Sequence, residues 1–210
     1  ECIASLSPVR QPVCMRCGKE VTGSRMEYCP DCMRHPRSFD GGAALFHYNE
    51  AARRSMAAIK YKNRREYLDF YSQALVSRYG KWLSHIQPDA LVPVPVHPAR
   101  RRKRGFNQAE ELAERISLLT GIPVRADLLI RIRKTLPQKE LNPAERLNNL
   151  RLAFAVSDFY KAHPEQIPRQ VVLADDIYTT GSTMEACTRV LKAAGVKQVY
   201  IMSICIGKGR

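Results

Sequence analysis

The sequence predicts an α/β fold, a parallel sheet flanked by helices, with a small cysteine-built module in front of it. Three observations carry that prediction. From residue 43 onward, strand-like apolar runs alternate with segments of helical periodicity; the last three segments form a strand, helix, strand succession; and four of the seven cysteines fall into two tight pairs ahead of all this. A chain of 210 residues, 45% hydrophobic and 26% charged, can bury one full core and still have sequence left for an appendage. Residues 1–40 are assigned to the cysteine module and residues 41–210 to the main domain.

Cys14 and Cys17, then Cys29 and Cys32, make two Cys-x-x-Cys pairs separated by eleven residues. One such turn lets two thiolates grip one face of a tetrahedral ion, and a second across a short hairpin closes the other face. Gly18 permits the tight turn after Cys17. The competing reading, a disulfide-stapled mini-protein, calls for export. Residues 1–10 have neither the basic start nor the apolar run of a signal peptide, and no stretch of eighteen apolar residues occurs. The pairs are therefore read as a structural zinc ribbon, and the chain as soluble and cytoplasmic, with no membrane span. Because the chain opens on Glu1 rather than Met, the ribbon is read as open to truncation at its N-terminus, and Cys2 would then be the remnant of a further knuckle. Cys187 and Cys205 lie in apolar surroundings and read as core.

Beyond the ribbon, Asp40, Gly41 and Gly42 punctuate the chain and residues 43–48 form a strand. Helical spacing follows over 50–60 and 64–85, as in Tyr67, Leu68, Tyr71, Leu75 and Tyr79. Residues 91–96 are a short strand broken by Pro93 and Pro95; a basic loop follows, then an amphipathic helix over 107–119 with Leu112, Ile116 and Leu119 on one side. Residues 128–132 and 152–156 read as extended, and Asn142, Pro143, Ala144 and Glu145 have the form of a capped helix start. The clearest unit comes last: a buried strand over 171–174, a polar turn, a helix over 182–194 ended by Gly195, and a strand over 198–206. It is a βαβ unit of a parallel sheet.

The turn inside that unit holds the chemistry. Asp175 and Asp176 stand at the carboxyl end of a central strand, where open α/β sheets place ligands. Thr179, Thr180, Gly181, Ser182 and Thr183 then open a helix. Backbone N–H groups at a helix start, four hydroxyls and a residue without a side chain make a cradle for phosphate. The two carboxylates repel that phosphate and must face sugar hydroxyls or Mg²⁺. A plain reading, in which the Asp residues cap turns and the threonines start a helix, accounts for each feature singly but not for the whole string over 171–183.

That string resembles the PRPP-binding motif of type I phosphoribosyltransferases, in which paired acidic residues contact the ribose hydroxyls of 5-phosphoribosyl diphosphate (PRPP) and a Thr-Thr-Gly loop holds its 5-phosphate. Val92, Pro93, Val94, Pro95, Val96 and His97, then Arg100 with Arg104, Gly105, Phe106, Asn107 and Gln108, then Thr135, Leu136, Pro137 and Gln138 with Arg146, Leu147, Asn148 and Asn149, resemble the ComF family, the competence-associated phosphoribosyltransferase-like proteins. A cysteine zinc module precedes the transferase-like domain in that family, in the order met here. The resemblance implies a type I phosphoribosyltransferase-like sheet. It makes Val94, Pro95, Val96 and His97 the pyrophosphate loop, Arg100 and Arg104 charge for the leaving diphosphate, Asp175 and Asp176 the catalytic carboxylates, and Mg²⁺ the ion that accompanies PRPP. Gln138 and Arg146 are not read as catalytic.

A net charge of +14 and a pI near 9.7 favour phosphate-bearing partners. Arg100, Arg101, Arg102, Lys103 and Arg104 are either an anion site or an exposed, solubilising loop; charge alone leaves both standing. Two functions follow from the resemblance. One is a competence factor that uses the site to bind PRPP or a related nucleotide while its ribbon and basic surface engage a DNA-translocating ATPase or single-stranded DNA. The other is a Mg²⁺-dependent phosphoribosyltransferase of nucleotide metabolism or salvage. No G-x-x-x-x-G-K-[ST] string occurs, so any such motor is a partner.

Overall fold

The computed structural model describes residues 5–23, 25–132 and 153–207. Cys2, the helix start at 142–145 and the stretches 135–138 and 146–149 lie outside them. A short helix α1 (Pro30–Arg34) precedes strand β1 (Gly41–His47), helices α2 (Glu50–Lys62) and α3 (Tyr67–Ile86), strand β2 (Ala90–Pro93) and helices α4 (Pro98–Arg104) and α5 (Gln108–Thr120). Strands β3 (Leu129–Arg131) and β4 (Phe154–Val156), helix α6 (Asp158–Ala162), a 3₁₀ turn (Pro164–Gln166), strand β5 (Gln170–Tyr178), helix α7 (Ser182–Ala193) and strand β6 (Gln198–Ile206) complete it.

The main sheet has the order β1-β6-β5-β2 and every pairing in it is parallel. β5 therefore lies inside the sheet, and Val171, Val172, Leu173 and Ala174 are fully buried. Strands buried on both faces read as continuous apolar runs, which is why this strand was visible in sequence. The core divides between the two faces. On one, Val171 and Leu173 pack with Met184, Ala186 and Leu191 of α7, and this cluster continues into the four ribbon cysteines. On the other, Val172 and Ala174 pack with Met56 and Ile59 of α2, Leu75 of α3 and Leu112 and Ile116 of α5. The antiparallel pair β3-β4 is a separate two-stranded ribbon.

Three local expectations are corrected. The basic run is a helix, α4, not a loop: His97 caps it by accepting from Ala99 N–H at 3.1 Å, Pro98 fills its first turn, and Gly105 ends it at φ 82°. Winding turns successive cations about 100° apart, which relieves the repulsion an extended run would suffer. β5 runs on through both acidic residues to Tyr178, so the carboxylates belong to the strand rather than to a turn after it. Gly41 and Gly42 start β1 instead of merely punctuating the chain: a Cβ on Gly42 would stand 2.6 Å from Ile201 Cγ1 and 2.9 Å from the Arg16 carbonyl oxygen. The first cysteine knuckle thus packs backbone to backbone on the sheet.

Candidate functional site: a phosphate cradle beside a cysteine metal centre

Strand β2 ends at Pro93, and Val94 N–H reaches back to the Ala174 carbonyl at 2.9 Å. That bond sets the loop of Val94, Pro95, Val96 and His97 beside the end of β5. Asn107, the N-cap of α5, holds the loop from the other side: its Nδ2 donates to the Val94 carbonyl at 3.1 Å while its Oδ1 caps Ala109 N–H at 3.1 Å. The next residue, Gln108, is buried and donates Nε2 to Asp176 Oδ1 at 3.3 Å. The start of α5 thereby ties the loop after β2 to the acidic end of β5.

The two carboxylates go separate ways. Asp176 is 4% exposed, and Lys60 near the end of α2 forms an ion pair with its Oδ2. Asp175 is partly exposed and accepts Asp176 N–H at 2.8 Å. The buried surroundings of its carboxyl, with the adjacent Asp176 charge second, raise it well above the usual carboxylate range. Asp175 also lies within electrostatic reach of Cys187 on α7 and Arg131 on β3, and Arg131 in turn feels Arg100. Asp175 therefore serves the α7 face and Asp176 the α2 and α5 face. As a cation site the pair is incomplete, since one carboxylate is already neutralised by Lys60.

The loop of Thr179, Thr180, Gly181, Ser182 and Thr183 follows directly. Gly181 takes φ 76° as the N-cap of α7, and the Tyr178 hydroxyl occupies the place a Cβ would need, 2.2 Å away. No side chain among the described residues caps α7, as none caps α1, α3 or α6, whereas Asn49, His97 and Asn107 cap α2, α4 and α5. N–H groups left open in this way at a helix start suit an anion. Thr180 and Ser182 hydroxyls lie 2.9 Å apart at the same point, and Asp175, Thr179, Gly181, Ser182 and Thr183 line one small concavity.

On the side of Asp176, Lys60, Tyr61, Asn63, Arg100, Lys103, Arg104 and Phe106 line a cleft of about 520 Å³. Guanidinium groups lie over both rings, Arg104 5.2 Å from Tyr61 and Arg65 4.3 Å from Phe106. Arg101 turns away to Glu110, at 3.2 Å. Lys60 is the hinge of the arrangement, because it lines the cleft and pairs with Asp176. Sequence reasoning missed Lys60 and Arg131, which sit in elements with no local mark of their partners, and Arg37, which donates to the Thr180 carbonyl from the irregular stretch between α1 and β1.

The four cysteines converge as their spacing required. Their Sγ atoms all lie within 4.8 Å of one another, and all four residues are buried. Cys17 and Cys29 are 3.7 Å apart, close to the roughly 3.8 Å edge of a tetrahedron with ligands about 2.3 Å from zinc. All are free thiols. The chemistry fits as well: four buried thiols in one cluster, with hydrogen bonding from Cys17 lowering the Cys14 thiol, offer the thiolate form that zinc takes. Among the described residues no other group of His, Cys, Asp and Glu is close enough to hold a metal. Cys187 and Cys205 are core thiols, with burial pushing Cys187 well up and Cys205 to about 12. No helix among the described residues is long and apolar enough to cross a membrane.

Residues 85–210 match the phosphoribosyl transferase domain family. Competence protein F of Haemophilus influenzae is 28% identical over 201 residues, covering 92% of this chain and 84% of that protein. Competence protein ComFC of Streptococcus pneumoniae is 28% identical over 210 residues, covering 97% and 85%. DNA utilization protein YhgH of Escherichia coli K12 is 26% identical over 199 residues, covering 92% and 83%. Among solved structures, the purine phosphoribosyltransferase from Pyrococcus horikoshii superposes with a TM-score of 0.39 at 15% identity, over 66% of this chain and 84% of that one, a likeness too distant to build on.

Proposed function

For a chain that belongs to the phosphoribosyl transferase domain family, in its ComF group, we propose that the loop of Thr179, Thr180, Gly181, Ser182 and Thr183 binds the 5-phosphate of PRPP or a related nucleotide and that Asp175 accepts from its ribose hydroxyls. One observation carries this: α7 starts without a side-chain cap at a positive-φ glycine, with hydroxyls on both sides and a carboxylate on the strand that leads into it. Helix N–H groups suit phosphate and repel nothing on it, whereas the carboxylate suits only a hydroxyl or a cation. Val94, Pro95, Val96 and His97 would then face the diphosphate, with Arg100 and Arg104 supplying charge. Asp175 would be the residue to hold Mg²⁺ accompanying PRPP, because Asp176 is already paired with Lys60; such small hard ions are commonly bound through one or two carboxylates together with substrate phosphates. When bound it would neutralise the departing diphosphate. The chain's own part is to hold the ribose and both phosphate ends in place.

The test is calorimetric titration of PRPP with Mg²⁺ into the wild type, Asp175→Asn and Asp176→Asn, with melting curves as fold controls. Asp175→Asn should lose affinity at unchanged stability. Equal affinity in the wild type and Asp175→Asn would refute the ribose assignment.

A second reading, engagement of single-stranded DNA in DNA uptake, is favoured by the cleft beside Asp176. Its lining is cationic and aromatic together, the combination that tracks a backbone and stacks bases. Turnover, the acceptor and a motor ATPase partner belong to the same proposal.

A further inference from the structure

The cysteine ribbon lies outside the matched family domain, which begins at residue 85, yet the chain leaving its last cysteine runs straight onto the phosphate loop. Arg37 donates from Nη2 to the Thr180 carbonyl at 2.7 Å. Ser38 donates its N–H and its hydroxyl to the two oxygens of Glu185 at 2.8 and 2.7 Å. Glu185 is a buried acid in the first turn of α7, and Arg189 closes on it at 2.6 Å. Burial raises that carboxyl, but these donors win and hold it below its ordinary value. Phe39 meets the Tyr178 ring edge-on, centroids 6.4 Å apart, and Tyr178 is the ring that Gly181 leaves room for.

The other end of this strut is in the metal knuckle. Arg16, between Cys14 and Cys17, donates to the Phe39 carbonyl at 2.5 Å and the Arg37 carbonyl at 3.4 Å. Tyr178 packs in the same buried cluster as the four cysteines. Arg37 also has a buried Nε with no hydrogen-bond partner among the described residues, a cationic donor next to a loop read as an anion site.

Resting on that reading of residues 179–183, we propose that Arg37 is a positioning residue for the phosphate loop, supplied by the ribbon, so that metal in the four-cysteine site sets how tightly the loop holds a phosphorylated sugar. The physical reason is preorganisation. A loop of Thr, Gly and Ser loses conformational freedom when it closes on phosphate, and a guanidinium already fastened to its carbonyl removes part of that loss while adding charge beside the anion.

The experiment compares zinc-loaded wild type, Arg37→Ala, Arg16→Ala, and Cys14→Ser with Cys29→Ser, with metal content and melting measured for each. The wild type should hold about one zinc per chain, as strong structural sites do, and the double cysteine variant should lose it. Backbone hydrogen exchange of residues 179–183 in ligand-free protein should speed up in all three variants. Ribose 5-phosphate, the probe that presents the phosphate alone, should bind roughly tenfold more weakly to Arg37→Ala, the usual scale for one charged hydrogen bond. Arg16→Ala leaves the loop's own contacts in place and serves as the remote control: a shared exchange signature supports the strut. Unchanged exchange at 179–183 in Arg37→Ala, or in the zinc-free variant with the rest of the fold intact, overturns the proposal. Faster exchange together with no ribose 5-phosphate binding even by the wild type would leave the strut standing and overturn the reading of the loop instead.

Discussion

Lys60→Met removes the one ion-pair partner that Asp176, 4% exposed, has among the described residues. Taking away one member of a buried pair leaves an uncompensated charge, which costs about 3–5 kcal/mol, a fall in Tm of roughly 6–20 °C for a chain of this length. Adding Asp176→Asn should recover most of the loss, since Asn has no charge to orphan and can still accept from Gln108. Urea denaturation of the wild type, the single variants and the double variant measures all of this. A loss under about 1 kcal/mol, or no recovery in the double variant, would refute the assignment of Lys60 as the counter-charge of Asp176.

Gly181→Ala should cost about 2–5 kcal/mol, combining a left-handed conformation for a residue with Cβ and a clash with the buried Tyr178 ring; an unchanged melting temperature would show that the loop has another conformation available. If single-stranded DNA enters the cleft, its binding should weaken steeply with salt. Replacing Arg100, Lys103 and Arg104 by Ala should then lower the slope of log K against log salt by about 2, at roughly 0.7 per phosphate contact on a single strand. An unaltered slope would move the DNA elsewhere on the surface.

What the sequence made legible was whatever its chemistry writes locally. Two Cys-x-x-Cys turns are defined by spacing alone, because each pair of thiolates must meet within one turn. The last strand, helix and strand were readable from a fully apolar run, a 3.6-residue period and a terminal glycine. The basic run was misread because five adjacent cations suggest an extended, self-avoiding segment. The deciding signals were at its ends, in His97, Pro98 and Gly105, where cap geometry rather than charge fixes the conformation. The partners of the acidic pair had no such signal. Gln108 meets Asp176 across 68 residues and Arg37 meets Thr180 across 143; Gln108 belongs to a helix whose pattern reports only which face is apolar, and Arg37 to an irregular stretch with no pattern at all.

The adjacency of Asp175 and Asp176 suggested one role shared by two carboxylates, and their surroundings argue against that. Asp176 is buried, paired with Lys60 and hydrogen-bonded by Gln108, so it joins α2 and α5 to the end of the sheet. Breaking such a buried pair exposes a large penalty, which suits a residue that holds geometry. Asp175 keeps partial exposure, and burial together with its neighbour's charge raises its carboxyl. A carboxylate in that state gains most from an incoming hydroxyl donor or cation, because either one removes the cost of its ionisation. Under the proposed function, the asymmetry therefore gives ligand contact to Asp175 and the support of that contact to Asp176. Lys60 stands where those two tasks meet the cationic cleft, so a ligand that reached both the cradle and the cleft would have to pass it.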